Sequence, residues 1–163
     1  MATVQQLANS IAQMEGFNTP GTIANRYNNP GNLRYATTQT GTADTVNGKF
    51  ATFATAADGW QALYDYIQSK ANSGTTLRDF IYTYAPPTEN DTSSYLNYLS
   101  GQLGVSADES LGVLYAGNDS MGGATDSWDV GSYFSDTGNG LDTSGWVAVA
   151  GLVVVGLVVT DVF

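Results

Sequence analysis

The sequence predicts an α+β fold, mainly helical, with one small antiparallel hairpin and a single C-terminal transmembrane helix. Three observations carry that expectation. Apolar residues recur at helical spacing through most of the first 115 residues, each run opening on a Ser, Thr or Asp that can cap it. Two short alternating runs, Leu33–Tyr35 and Phe50–Phe53, stand apart from that rhythm and read as strands. Fourteen consecutive apolar or glycine residues, Trp146 to Val159, lie near the C-terminus.

The first helix spans Thr3 to Gly16. Thr3 with Gln6 three residues on is a capping-box start, and Gly16 is a natural stop. A turn-dense segment follows, Asn18-Thr-Pro-Gly21 and Asn28-Asn-Pro-Gly-Asn32, in which each Pro-Gly pair favours a type II turn. Leu33–Tyr35 and Phe50–Phe53, separated by a loop rich in Thr, Gly and Asn, make a hairpin with a long tip. Thr55 with Asp58 opens a second helix through Trp60, Leu63, Tyr64 and Ile67 to about Ala71. A third begins near Thr76, carries Leu77, Phe80 and Ile81, and ends at Pro86-Pro87. Asp91 or Thr92 caps a fourth with Tyr95, Tyr98, Leu99 and Leu103, stopped by Gly104. Ser106 with Glu109 reads as a further capping box, opening a last short helix through Leu111 and Leu114.

Three zones follow: a folded body at 1–115, a Gly- and Asp-rich flexible acidic linker at 116–145, and a membrane anchor at 146–163. The linker holds seven glycines and five aspartates in thirty residues. The body carries nine acidic and five basic residues, a net −4, whereas 116–163 carries six aspartates and no base, a net −6. At 1.5 Å per residue the apolar run spans about 21 Å, short of a ~30 Å hydrocarbon layer unless its flanks contribute. Trp146 at its polar boundary and the absence of charge before Asp161 favour anchoring, with oligomer packing or a core strand as the other readings. Residues 1–15 read as an amphipathic helix rather than an export signal.

The chain has no cysteine and no histidine. Thiolate and imidazole nucleophiles, disulfides and the metal sites built on those ligands are therefore excluded, and acid–base chemistry falls to carboxylates, with tyrosine in support. A net charge of −10 with five basic residues disfavours nucleic acid as a partner. No cofactor is called for.

Glu15 is the candidate catalytic residue. At about 100° per residue, Val4, Ala8, Ile11 and Glu15 fall within roughly 60° of one another, so a carboxylate sits on the apolar stripe of the first helix. It also lies in the last turn, among unpaired carbonyls and the negative end of the helix dipole. Both influences raise its pKa, as a general acid working near neutral pH requires. The other reading is a helix-end glutamate whose tip reaches to water.

Four blocks occur in a telling order: Glu15-Gly-Phe17; Asn28-Asn-Pro-Gly-Asn-Leu-Arg-Tyr35; Phe50 to Trp60; and Tyr84-Ala-Pro-Pro-Thr-Glu-Asn-Asp-Thr92 with Tyr95 beyond. Together they resemble a lysozyme-like module related to goose-type lysozymes and soluble lytic transglycosylases, over about Val4 to Leu114. The resemblance implies that Glu15 protonates the glycosidic oxygen between N-acetylmuramic acid and N-acetylglucosamine. It further implies that Asn32, Tyr84 and Asn90 line the glycan groove. Each of the three has a structural reading as well: Asn32 stabilising its turn, Tyr84 a core ring with a wet hydroxyl, Asn90 capping the fourth helix.

Ordinary glycosidases need a second carboxylate. The candidates are Asp44, Asp58 and Glu89, which read respectively as a loop surface charge, a helix N3 residue and a group ordering the loop after Pro87. By resemblance, lytic transglycosylases dispense with the second group, because the substrate's own acetamido and 6-hydroxyl groups act as nucleophiles and one glutamate serves as acid and then base. Relatives of that kind often carry Gly-Leu-Met-Gln where Gly31-Asn-Leu-Arg34 stands here, so hydrolase and transglycosylase outcomes both remain open. The implied function is a membrane-anchored muralytic enzyme of a phage virion, acting during genome entry. Its implied partners are peptidoglycan strands, a virion or host lipid membrane and other virion proteins. The alternatives are a non-catalytic virion structural or glycan-binding protein and a cellular tail-anchored wall-remodelling enzyme.

Overall fold

Thr3 starts the first helix as the sequence requires: its hydroxyl accepts from the Gln6 N–H while the Gln6 side chain accepts from the Thr3 N–H. The computed structural model describes residues 2–116, and over them the fold is α+β. Helix α1 (Val4–Met14) is followed by a single turn, α2 (Ile23–Arg26), then strands β1 (Gly41–Thr45) and β2 (Gly48–Thr52). Helices α3 (Ala56–Asn72), α4 (Leu77–Tyr84) and α5 (Thr92–Leu103) and a last turn, α6 (Val113–Ala116), complete the order. The linker and the membrane anchor expected beyond residue 116 lie outside the described residues. Among the described residues no helix is long and apolar enough to cross a membrane.

The buried faces match the sequence periodicities. Val4, Leu7, Ala8 and Ile11 of α1 join Leu63, Ile67, Phe80, Ile81 and Leu99 in one core, with α1 packed on both α3 and α5. Each fully buried Leu, Ile or Phe contributes roughly 1.5–3 kcal/mol through removal from water. Thr55, Thr76 and Asp91 cap α3, α4 and α5, and Gly104 ends α5 at φ 63. Gly59 sets the approach of α3 to the preceding loop. A Cβ there would stand 1.8 Å from the Asn28 carbonyl oxygen, so only glycine fits.

The structure departs from expectation in four places. The strand paired with β2 is Gly41–Thr45 rather than Leu33–Tyr35, and the two meet through a tight turn at Val46-Asn47 instead of a long tip. Gly48, paired with Thr45, follows that turn at φ 103, a conformation that glycine adopts freely. Leu33 gives one hydrogen bond to the sheet, its carbonyl accepting from the Ala51 N–H, because its own N–H is already donated to the Asn29 side chain. The Ser106–Glu109 capping box does not form either. The carbonyls of Ala107 and Glu109 instead accept from the Arg78 and Leu77 N–H groups, first-turn donors of α4 that have no partner within their own helix. That pairing holds residues 107–109 in turns and delays helix until Val113. Pro20-Gly21 has the glycine at φ 88 that a type II turn needs, but Gly31 does not, and the left-handed residues of the second turn are Asn28 and Asn32. Finally, α2 falls in a stretch read as turns alone.

Candidate active site

Glu15 is the C-cap of α1, and the chain turns sharply beyond it. Gly16 at φ 73 lets the Phe17 N–H bond the Ala12 carbonyl and the Gly16 N–H bond the Gln13 carbonyl, a Schellman closure. Thr22 secures the turn by donating its hydroxyl to the Gly16 carbonyl at 2.8 Å. Two carbonyls at the helix end are thereby satisfied, so the dipole has less to do with the glutamate than its place in the sequence suggests. Burial does more. Desolvation raises the Glu15 pKa from 4.5 to about 7, against the opposing pull of two hydrogen bonds that favour the charged form.

Those bonds define the site. Asn32 Nδ2 donates to Glu15 Oε2 at 2.8 Å, and the Tyr95 hydroxyl donates to Oε1 at 3.3 Å. Tyr95 is buried, and its pKa is pushed well above the ordinary phenol range by burial first and the Glu15 charge second, so it remains a neutral donor. The residue as a whole is only partly buried, because Glu15 opens onto a cleft of about 780 Å³ between the hairpin and the end of α4.

Asn32 reaches Glu15 through a chain of amide bonds that begins three residues earlier. The Asn29 side chain is wholly buried; its Nδ2 donates to the carbonyls of Leu33 and Ala51, both at 2.9 Å, and its Oδ1 accepts from the Leu33 N–H at 2.8 Å. Asn28, at φ 53, donates to the Phe53 carbonyl at 3.1 Å. The loop is thus stitched to β2 on both sides of Pro30. Asn32 then takes φ 44, a left-handed conformation that asparagine tolerates, and this turns its amide to the carboxyl. Gly31 fits because a Cβ would meet Leu63 Cδ1 at 2.8 Å. The Tyr84 hydroxyl donates to the Gly31 carbonyl, and its ring stacks on Phe80 and Tyr95.

The four residues expected at the site all line this one cleft: Glu15, Asn32, Tyr84 and Asn90. Their roles differ. Asn32 touches Glu15, whereas Tyr84 holds the loop that carries Asn32, its hydroxyl bonded to backbone rather than wet. Asn90 donates to the Pro86 carbonyl at 3.3 Å and leaves the capping of α5 to Asp91. Of the second-carboxylate candidates, Asp58 is fixed in the α3 capping box and Asp44 pairs with Lys49 across the hairpin at 3.3 Å. Glu89 alone of the three faces the cleft, in an ion pair with Arg34 at 2.9 Å.

Tyr95 and Arg34 were not singled out from the sequence as site residues. Tyr95 sits on an apolar helical stripe and reads as core, which it also is. Arg34 follows the buried Leu33, and its position two residues from Asn32 is the signal that points to the cleft. No protein-family model matches the chain, and the curated proteins and solved structures give no match.

Proposed function

We propose that the protein is a muralytic enzyme with a lysozyme-like body, cleaving the bond between N-acetylmuramic acid and N-acetylglucosamine in peptidoglycan with Glu15 as its general acid. One observation carries this reading: a carboxyl whose pKa is raised to about 7 by burial opens onto a cleft lined by asparagines and aromatic rings. A protonated carboxyl can deliver its proton to a glycosidic oxygen near neutral pH, where an ordinary glutamate has already lost it. Asn32 and Tyr95 then stabilise the carboxylate left behind, while the pKa raised by burial lets that carboxylate act as a base and recover a proton in the second half of the cycle. With Asp44 and Asp58 outside the cleft and Glu89 more than half exposed beside Arg34, the arrangement favours a mechanism resting on one carboxylate, in which the substrate's acetamido group acts as nucleophile. The acidic linker and apolar C-terminal run complete the proposal as a tether holding the enzyme at a virion or host membrane.

Purified peptidoglycan incubated with the full chain should yield soluble fragments, and mass spectrometry should find 1,6-anhydro ends. Glu15→Gln should release at least a hundredfold less, about the loss expected on removing a general acid. Equal release by the variant would take Glu15 out of the mechanism and leave a glycan-binding or scaffolding protein of the same fold.

A further inference from the structure

Among the described residues, Arg34 is the one basic side chain lining the cleft. Its guanidinium is held at the rim by the hairpin: Nη1 donates to the Asn47 carbonyl at 3.2 Å and Cζ lies 5.1 Å from the centre of the Phe50 ring. Gly48, at φ 103, makes room, since a Cβ there would come within 2.5 Å of Nη1. From the opposite wall Glu89, on the turn after α4, reaches Nη2 with Oε2. The pair spans the cleft between segments 55 residues apart. Both side chains are about half exposed, at 53% and 57%, so water screens the pair and it is readily exchanged.

Resting on the glycan-cleaving reading above, we infer that Arg34 is the residue by which the cleft selects an acidic glycan, and that Glu89 is the internal carboxylate a substrate carboxylate displaces. The chemistry of the pair supports the exchange. A guanidinium fork accepts a planar carboxylate through two N–H groups, and a free ligand carboxylate can adopt that geometry. Position supports it too. Arg34 is two residues from Asn32, so at most about 7 Å separates their Cα atoms. A carboxylate on Arg34 therefore belongs to a sugar close to the one Glu15 protonates. The body is acidic overall and would repel a polyanionic wall; a single cation at the rim offsets that repulsion where it matters.

Peptidoglycan offers two such carboxylates, the lactyl group of muramic acid where the stem peptide has been removed, and the stem peptide itself. An uncharged N-acetylglucosamine oligomer offers neither. The test measures equilibrium binding of these three kinds of strand to the full chain carrying Glu15→Gln, with Arg34→Gln or Glu89→Gln added. The quantity read is the ratio of affinities for acidic and neutral strands. Arg34→Gln should lower that ratio about fivefold and Glu89→Gln should raise it by a similar factor, both effects shrinking at high salt. Opposite signs are the signature, because a clasp serving only to hold the walls together is broken equally by either substitution. A change confined to stripped strands assigns the lactyl carboxylate; one confined to stem-bearing strands assigns the peptide. Variants that move together, or leave the ratio alone while strands are still bound, overturn this inference only. Failure to bind any strand removes the glycan-cleaving reading itself, and this inference with it.

Discussion

Glu15 keeps its proton to about pH 7 in the folded chain and gives it up near 4.5 when unfolded. Between those values the folded state binds the extra proton, so its stability falls as pH rises, and the loss is complete above the folded pKa. A shift of this size corresponds to about 3 kcal/mol, a substantial share of the stability of a small domain. Glu15→Gln abolishes the titration. Denaturant unfolding should therefore show the variant gaining on the wild type by about 3 kcal/mol between pH 4.5 and 8; a pH-independent difference would mean that the carboxyl is solvated. That Glu15 sits on an apolar face could be read from its spacing with Val4, Ala8 and Ile11. Its partners were less legible. Asn32 stood in a recognisable block, but that its amide rather than its backbone does the work depends on φ 44, which no residue type dictates. Tyr95 was hidden because the same ring fills the core and ends at the carboxyl.

At the scale of elements, helices were legible wherever a cap and an apolar stripe agreed, as at Thr3, Thr55, Thr76 and Asp91. The hairpin and the last helix were misplaced for a common reason. In each, a backbone group expected to serve its own element is claimed by a distant one: the Leu33 N–H by Asn29, and the carbonyls of Ala107 and Glu109 by α4. Asn47-Gly48 was the missed local signal, since Asn-Gly between alternating runs marks a tight hairpin turn. The Asn28–Asn32 loop is the element on which the site depends. Asn29→Ala takes the side-chain partner from the Leu33 N–H and the Ala51 carbonyl and leaves the Leu33 carbonyl with the Ala51 N–H alone, and it should destabilise the fold by about 3 kcal/mol, judged by denaturant midpoint. Gly59→Ala should be at least as severe, because the clash is with backbone that cannot turn aside. Retention of wild-type stability by either variant would show that the loop is not pinned as described.

For the whole molecule, charge and apolarity are segregated along the chain. A body of net −4 is followed by 48 residues of net −6 that include the fourteen-residue apolar run. Composition alone places the boundary near 115; among the described residues, Leu111 and Leu114 are the last buried apolar side chains. The proposed tether predicts that the full chain associates with lipid vesicles whereas a chain ending at Gly145 stays in the aqueous phase; equal partitioning would remove the anchor. Truncation should leave cleavage of soluble glycan fragments unaltered, since every group at the proposed site lies between Glu15 and Tyr95.

The pH dependence of kcat/KM for glycan release, measured for the wild type beside Glu15→Gln, bears most directly on the central claim. A wild-type rate that falls as pH rises through about 7, with release by the variant too low to define a profile, is the result expected of a glutamic acid held protonated in the cleft. A wild-type profile that stays flat from pH 5 to 9, or a variant that cleaves as fast as the wild type, would contradict it.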